Sequence, residues 1–250
     1  MCNSRTLILL IGLVLCGTVA SSAQEKKKDP ARLPAPPASD ERWQAGLHYT
    51  VLIPGEESKA KPGKIELVEL FLYTNGISKR LMPYLQKFLA EHPNVEYVRI
   101  PAIVFPHTRE QARMYFTLKE LGREDLHAGM FDWVKEENRF PVYHTLMHPA
   151  KEAILDLNLA YAKKNGIDPK VFLQVYQSRE IDNQVITAEI DTHGYHVNGT
   201  STLVVNGRYS TSLQRLMALD PNHPDNDTPQ DFERLMKLID YLIASESKKP

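Results

Sequence analysis

One stretch of the chain changes from a strand pattern to a helix pattern within a few residues. Residues 65–73 are apolar at most positions, which is typical of a central strand covered by helices on both faces. From Leu81 the apolar residues recur at three- and four-residue intervals and predict an amphipathic helix that stops before Pro93. Residues 74–78 therefore join the carboxyl end of a strand to the first turn of a helix. In α/β proteins this is the usual place for a functional site.

The rest of the chain continues as an α/β protein. Residues 95–103 alternate between polar and apolar positions, which predicts a second core strand. Helical spacing dominates residues 106–192, and the last helix of that region is predicted for residues 183–192. Asn206-Gly207 lies between two short apolar runs, which is a strong signal for a β-hairpin. A long amphipathic helix is predicted near the end of the chain.

Composition and charge exclude some classes of protein. Hydrophobic residues make up 42% of the chain and charged residues 24%, values typical of folded proteins in water. The formal net charge of −1 gives no electrostatic footprint for nucleic acid, so we expect no nucleic-acid partner.

The first residues have the pattern of a signal peptide. Arg5 precedes an apolar run over residues 7–20, and small residues follow up to a predicted cleavage point near Ala23. The run is short for a membrane span, so we expect export to the periplasm or secretion, with no stable membrane insertion after cleavage. The signal peptide is assigned to residues 1–23. Residues 24–40 are rich in proline and charge and predict a flexible tether.

Both cysteines of the chain, Cys2 and Cys16, lie within the predicted signal peptide. The mature protein would then contain no cysteine. In an oxidising compartment such a protein forms no disulfide and offers no thiol for exchange.

Residues 68–85, VELFLYTNGISKRLMPYL, resemble the first strand and active-site helix of the DsbA family of periplasmic disulfide oxidases, whose pattern is VEFFSYxCPHCxxxxPxL. Six residues fall in register with that pattern: Val68, Glu69, Phe71, Tyr73, Pro83 and Leu85. The redox motif differs. Asn75 stands at the first cysteine position, Gly76 and Ile77 at the middle pair, and Ser78 at the second cysteine position.

A second segment, NGTSTLVVNGRY over residues 198–209, resembles the GVPTLVVNGKY segment of the same family. Ser201 stands where the family has a cis-proline beside the active site. A cis bond before serine costs about 3–4 kcal/mol, against about 0.5–1 kcal/mol before proline. We therefore expect a trans Thr200–Ser201 bond and a rearranged loop beside Asn75.

The resemblance implies an α/β fold of the thioredoxin type with an inserted helical subdomain. The predicted domain organisation follows from it. Residues 1–23 are the signal peptide, 24–40 the tether, 41–105 the first part of the thioredoxin-like domain, 106–192 the inserted subdomain and 193–250 the second part.

The family's activity is thiol:disulfide exchange, which needs a thiolate and a second, resolving thiol. Neither the amide of Asn75 nor the hydroxyl of Ser78 can take those roles. Glu69 matches a buried acid that serves proton transfer in the family, and here we expect a buried carboxyl with a hydrogen-bonded partner and a pKa raised by burial. The leading hypothesis is an exported, DsbA-like binding, chaperone or scaffold module for a periplasmic polypeptide. Its binding residues would be Asn75, Gly76, Thr200 and Ser201.

Other functions stay open from the sequence alone. The protein could act as an oxidoreductase with an external thiol or a partner's thiol, or as a hydrolase with Ser78 as nucleophile, although no local motif supplies a base. We expect no cofactor and no metal. The histidines that invite a zinc interpretation fall in two groups, which are His144 with His148, and Asp191 with His193 and His196.

Overall fold

The computed structural model describes six ranges: residues 43–53, 55–136, 138–143, 151–197, 201–224 and 226–247. The predicted signal peptide and the tether lie outside these residues, as do both cysteines. Thr200 and the histidine pair His144 and His148 also lie outside them.

A mixed five-stranded sheet forms the centre of the described part. Its strands are β1 (Thr50–Val51), β2 (Ile65–Phe71), β3 (Val95–Pro101), β4 (Thr202–Val205) and β5 (Tyr209–Ser212). The spatial order is β1-β5-β4-β2-β3. β2 pairs in parallel with β3 and antiparallel with β4. Every residue of β2 is buried, as its apolar pattern predicts.

Two faces of the sheet bury different helices, because side chains alternate along each strand. On one face Leu67 packs with apolar residues of α1 (Gly76–Glu91) and α9 (Pro229–Ser247). On the other face Val68 packs with apolar residues of α2 (Thr108–Glu120) and α7 (Arg179–Gly194). β2 is therefore covered on both sides, and its carboxyl end leads directly into α1.

A run of helices lies between β3 and β4, in the region where the sequence predicts the inserted subdomain. Besides α2 and α7 it contains α3 (His127–Lys135), α4 (Phe140–Tyr143), α5 (Lys151–Lys164) and α6 (Pro169–Tyr176), with a 3₁₀ turn at Glu124–Leu126. A short α8 (Leu213–Met217) follows β5. Within the described ranges, none of the helices is both long and apolar enough to cross a bilayer.

The sequence prediction was wrong about several boundaries. β2 and β3 each end two residues earlier than predicted. α7 begins at Arg179 instead of residue 183, because the side chain of Ser178 caps it by accepting a hydrogen bond from the Ile181 backbone N–H. Apolar spacing alone does not reveal a polar first turn of this kind. α7 also ends at Gly194, two residues beyond the predicted end of the inserted region.

The hairpin prediction is confirmed. Asn206 and Gly207 have φ values of 52° and 64°, which is the left-handed region that this type of turn requires. The backbone N–H of Arg208 closes the turn by donating to the carbonyl oxygen of Val205 at 3.0 Å.

Candidate functional site

Asn75 forms the N-cap of α1. Its backbone is extended, with φ −98° and ψ 115°, and its Oδ1 accepts a hydrogen bond of 2.8 Å from the Ile77 backbone N–H. Its own backbone N–H donates to the carbonyl oxygen of Leu72 at 3.0 Å. The amide side chain thus stabilises the first turn of the helix, where the backbone dipoles give a partial positive charge.

Ser78 and Ser201 contact each other directly beneath this helix start. Their hydroxyl oxygens are 2.6 Å apart and share a hydrogen bond, and both residues have no exposed surface. The backbone N–H of Leu72 also points to the Ser78 oxygen at 3.4 Å. The bond joins the first turn of α1 to the residue that precedes β4. Two positions predicted to belong to one site are therefore linked by a buried polar contact.

Charged side chains surround the entrance to the site at Gly76. A Cβ atom at this position would lie 2.8 Å from Arg80 Nη1 and 3.0 Å from Lys135 Nζ, so both cations approach the helix start closely. Arg80 also pairs with Asp227, at 2.8 Å from Nη2 to Oδ2. Glycine leaves the backbone of the first turn partly exposed between these cations.

Glu69 lies on β2 directly opposite Arg99 on β3 and is 1% exposed. The Tyr97 hydroxyl donates a hydrogen bond to Glu69 Oε2, and Arg99 Nε lies 3.5 Å from the same oxygen. Burial raises the pKa of the Glu69 carboxyl, and its contacts with Tyr97 and Arg99 partly oppose that effect. Glu69 is therefore a buried acid held by two neighbours on the adjacent strand.

His127 is a buried basic residue that the sequence analysis did not single out. Its Nδ1 shares a 3.0 Å hydrogen bond with the hydroxyl of Tyr73, and the rings of Phe71, Tyr115 and Phe131 pack around it. Burial, with repulsion from Arg99, lowers the pKa of His127 to about 3. The imidazole is neutral at pH 7 and acts as a polar group inside an aromatic cluster.

Comparison with known proteins finds similarity to DsbA proteins in both sequence and structure. No protein-family model matches the chain. The chain is 29% identical over 214 residues to the thiol:disulfide interchange protein DsbA of Pseudomonas aeruginosa, covering 84% of this chain and 88% of that protein. It is 26% identical over 242 residues to the protein of the same name from Azotobacter vinelandii, covering 95% and 97%. A crystal structure of Pseudomonas aeruginosa DsbA superposes with a TM-score of 0.65 at 26% identity, covering 82% of this chain and 97% of that one.

The chain is similar to DsbA proteins in both sequence and fold.

In this DsbA-like protein the helix start carries Asn75, Gly76, Ile77 and Ser78, and its side chains offer oxygen and nitrogen but no sulfur. A hydroxyl or amide cannot form the mixed disulfide on which thiol exchange depends. Ser78 also has no exposed surface, and its hydroxyl bonds to a second hydroxyl, which is not a base. The contacts of Ser78 are those of a structural residue.

The remaining predicted site residues separate into three groups. Ser201 belongs to the site, but it is fully buried and cannot touch a partner without a rearrangement, which corrects its prediction as a binding residue. Thr200 and the expected trans bond before Ser201 lie outside the described residues. Asp191 pairs with Lys59, whose Nζ is 2.8 Å from Oδ1. In the part of the chain that the structure describes, no group of three or more His, Cys, Asp or Glu residues is placed to hold a metal ion.

We predict that the Ser78–Ser201 hydrogen bond contributes measurably to stability. Ser78→Ala should lower the free energy of unfolding by about 1–3 kcal/mol, because it leaves the buried Ser201 hydroxyl without this partner. Adding Ser201→Ala should cost less than the sum of the two single changes, since the two side chains share one bond. Urea unfolding of the four proteins in this cycle measures the coupling.

The control is Ser245→Ala, which removes a hydroxyl from the exposed surface of α9 and should change stability by no more than about 0.5 kcal/mol. Strict additivity of the Ser78 and Ser201 substitutions would mean that their hydroxyls do not bond in solution.

Proposed function

We propose that this protein is an exported, DsbA-like binding module without a redox centre, which holds a periplasmic polypeptide as a chaperone or scaffold. The observation that carries the proposal is the buried Ser78–Ser201 hydrogen bond. It joins the positions where the family resemblance places the second cysteine and the cis-proline. A polar bond between two hydroxyls stabilises the loop against the helix, and it provides no route for electrons.

Location of the cysteines supports the same proposal. Cys2 and Cys16 are the two cysteines of the chain, and both lie in the segment that the sequence identifies as a signal peptide. Cleavage near Ala23 would remove them. We propose the periplasm as the location of the mature protein, because export and the DsbA-like fold both favour it.

The surface around Asn75 and Gly76 supports binding of an extended chain. These residues are partly exposed, whereas Ser78 and Ser201 beneath them are closed off. A polypeptide lying over this surface would meet the helix start with its partial positive charge, and the side chains of Arg80 and Lys135. Backbone carbonyl oxygens of the bound chain suit such a surface.

Binding can be tested with a labelled polypeptide that is permanently unfolded and carries no thiol, such as carboxymethylated α-lactalbumin. Fluorescence anisotropy should show saturable binding by the exported protein in the absence of any thiol reagent. Gly76→Gln should weaken binding at least threefold, because its side chain would occupy the space over the helix start.

Ala90→Gln provides a matched control, since it places the same side chain on an exposed position near the other end of α1. Its affinity should equal that of the wild type. Binding that depends on added glutathione would instead favour an oxidoreductase that uses an external thiol. Equal affinity of the two glutamine variants would place the binding surface elsewhere.

A further inference from the structure

A second concave site lies on the other face of the sheet, away from the helix start of α1. It is a cleft of about 360 Å³ between β3, α2 and α7. Its walls include the apolar side chains of Val98, Ile100, Phe116 and Ala188. A cleft of this size with apolar walls and a few polar groups has the dimensions of a site for a small organic molecule.

Glu66 supplies a buried carboxylate to this cleft. It lies on β2 with 1% of its surface exposed, on the face of the sheet that α7 covers. One carboxylate oxygen accepts a hydrogen bond from the backbone N–H of Lys59. Among the described residues, none donates a hydrogen bond to the other oxygen, Oε2. Burying a carboxylate oxygen without a hydrogen-bond donor costs folding free energy, and buried polar atoms in folded proteins are nearly always hydrogen-bonded.

Two of the cations that line the cleft, Lys59 and Arg99, already have acidic partners. Lys59 Nζ lies 2.8 Å and 3.1 Å from the two carboxylate oxygens of Asp191, at the edge of the cleft. Arg99 lies with its Nε 3.5 Å from Glu69 Oε2. Because these two cations are paired with Asp191 and Glu69, less positive charge is left to neutralise the carboxylate of Glu66. A donor with a positive charge would complete the hydrogen bonding of Oε2 and pair with the carboxylate.

We propose that this cleft binds a small organic cation, in which an ammonium or amidinium group pairs with Glu66 Oε2 and an apolar body packs against Val98, Ile100 and Phe116. The proposal does not depend on the polypeptide-binding function, because the cleft and the α1 helix start lie on different faces of the sheet. It assigns to the protein a ligand class, amphipathic amines, that its family resemblance does not imply.

Two probes of nearly equal shape test the charge requirement on the wild-type protein. Phenethylamine carries the ammonium group, whereas 2-phenylethanol carries a neutral hydroxyl on the same apolar body. In an NMR titration at pH 7.5, phenethylamine should shift the backbone amide resonances of β3 and α7, which border the cleft. It should bind at least tenfold more tightly than 2-phenylethanol. Equal affinity for the two probes, or shifts confined to other regions, would overturn the proposal.

Two matched variants test the assignment to Glu66. Glu66→Gln should weaken phenethylamine binding at least tenfold, because it removes the buried charge while keeping the shape of the side chain. Glu120→Gln removes an exposed acid at the rim of the same cleft and should change the affinity by less than twofold. An equal loss in both variants would show diffuse attraction to acidic residues and contradict the assignment. If Glu66→Gln does not unfold cooperatively, the comparison of the two probes on the wild type decides the question.

Discussion

Replacing Asn75 and Ser78 together by cysteine should give the protein thiol:disulfide oxidoreductase activity. The position of Asn75 at the N-cap of α1 is well placed for a reactive thiol, because the helix start and the nearby cations Arg80 and Lys135 stabilise a thiolate. The thiol pKa at residue 75 should fall below the ordinary value of about 8.5. At neutral pH the thiolate fraction then rises by roughly tenfold or more. The buried position 78 would supply the resolving thiol.

Insulin reduction by dithiothreitol measures the result. The Asn75→Cys/Ser78→Cys protein should accelerate the reaction at least tenfold over the wild-type protein. Asn75→Cys alone should form mixed disulfides without turnover, since no second thiol is available to resolve them.

A matched control places the same cysteine spacing at the opposite end of α1. Ala90→Cys with Pro93→Cys puts two thiols at the carboxyl end of the helix, where the dipole disfavours a thiolate. This protein should stay close to the background rate. Equal activity of the two double variants would show that the α1 start has no special chemistry.

Protonation of His127 should destabilise the protein in acid by an amount that a single substitution reveals. The folded-state pKa of about 3 lies below the value of about 6.5 for an unfolded chain, so the unfolded state binds more protons between these pH values. The neutral His127 therefore makes its full contribution to the free energy of unfolding above about pH 6.5, and this contribution decreases as the pH falls toward 3. At about 1.4 kcal/mol for each pKa unit, the loss is on the order of 4 kcal/mol across that range.

Urea unfolding at several pH values between 7 and 4 measures this dependence. His127→Gln removes the titrating group, so its curve of unfolding free energy against pH should be less steep than that of the wild type by about one proton. The buried acids Glu66 and Glu69 have raised pKa values and change stability in the opposite direction, but they are common to both proteins and cancel in the difference.

His193→Gln is the control, because His193 is exposed on α7 and its replacement should change the free energy of unfolding at pH 7 by no more than about 0.5 kcal/mol. If the unfolding free energy of the wild type changes with pH as steeply as that of His127→Gln, protonating His127 costs no free energy. Water would then reach the imidazole ring.

The strand-to-helix junction could be predicted from the sequence because its signals are local. The apolar pattern of residues 65–73 predicted a strand that is buried on both faces, and β2 is buried in this way. The polar residues that follow include Asn75, which forms the N-cap of α1. The hairpin at Asn206-Gly207 is local in the same sense, since the turn conformation depends on two adjacent residues.

Other parts of the site depend on contacts between distant residues. Ser78 and Ser201 are 123 residues apart, and only the fold brings their hydroxyls together. The pairing of Glu69 with Arg99 depends on the register of two parallel strands, although Arg99 could have been noticed as a charge in the middle of a predicted core strand. His127 carries no such signal, because its aromatic neighbours come from several elements.

The proposed function requires that the protein without residues 1–23 transfers no electrons to or from a client. Insulin reduction by dithiothreitol tests this requirement when the protein of residues 24–250 is added without any substitution. The rate should equal that of dithiothreitol alone at every protein concentration. A rate that rises in proportion to protein concentration would show that the protein does transfer electrons.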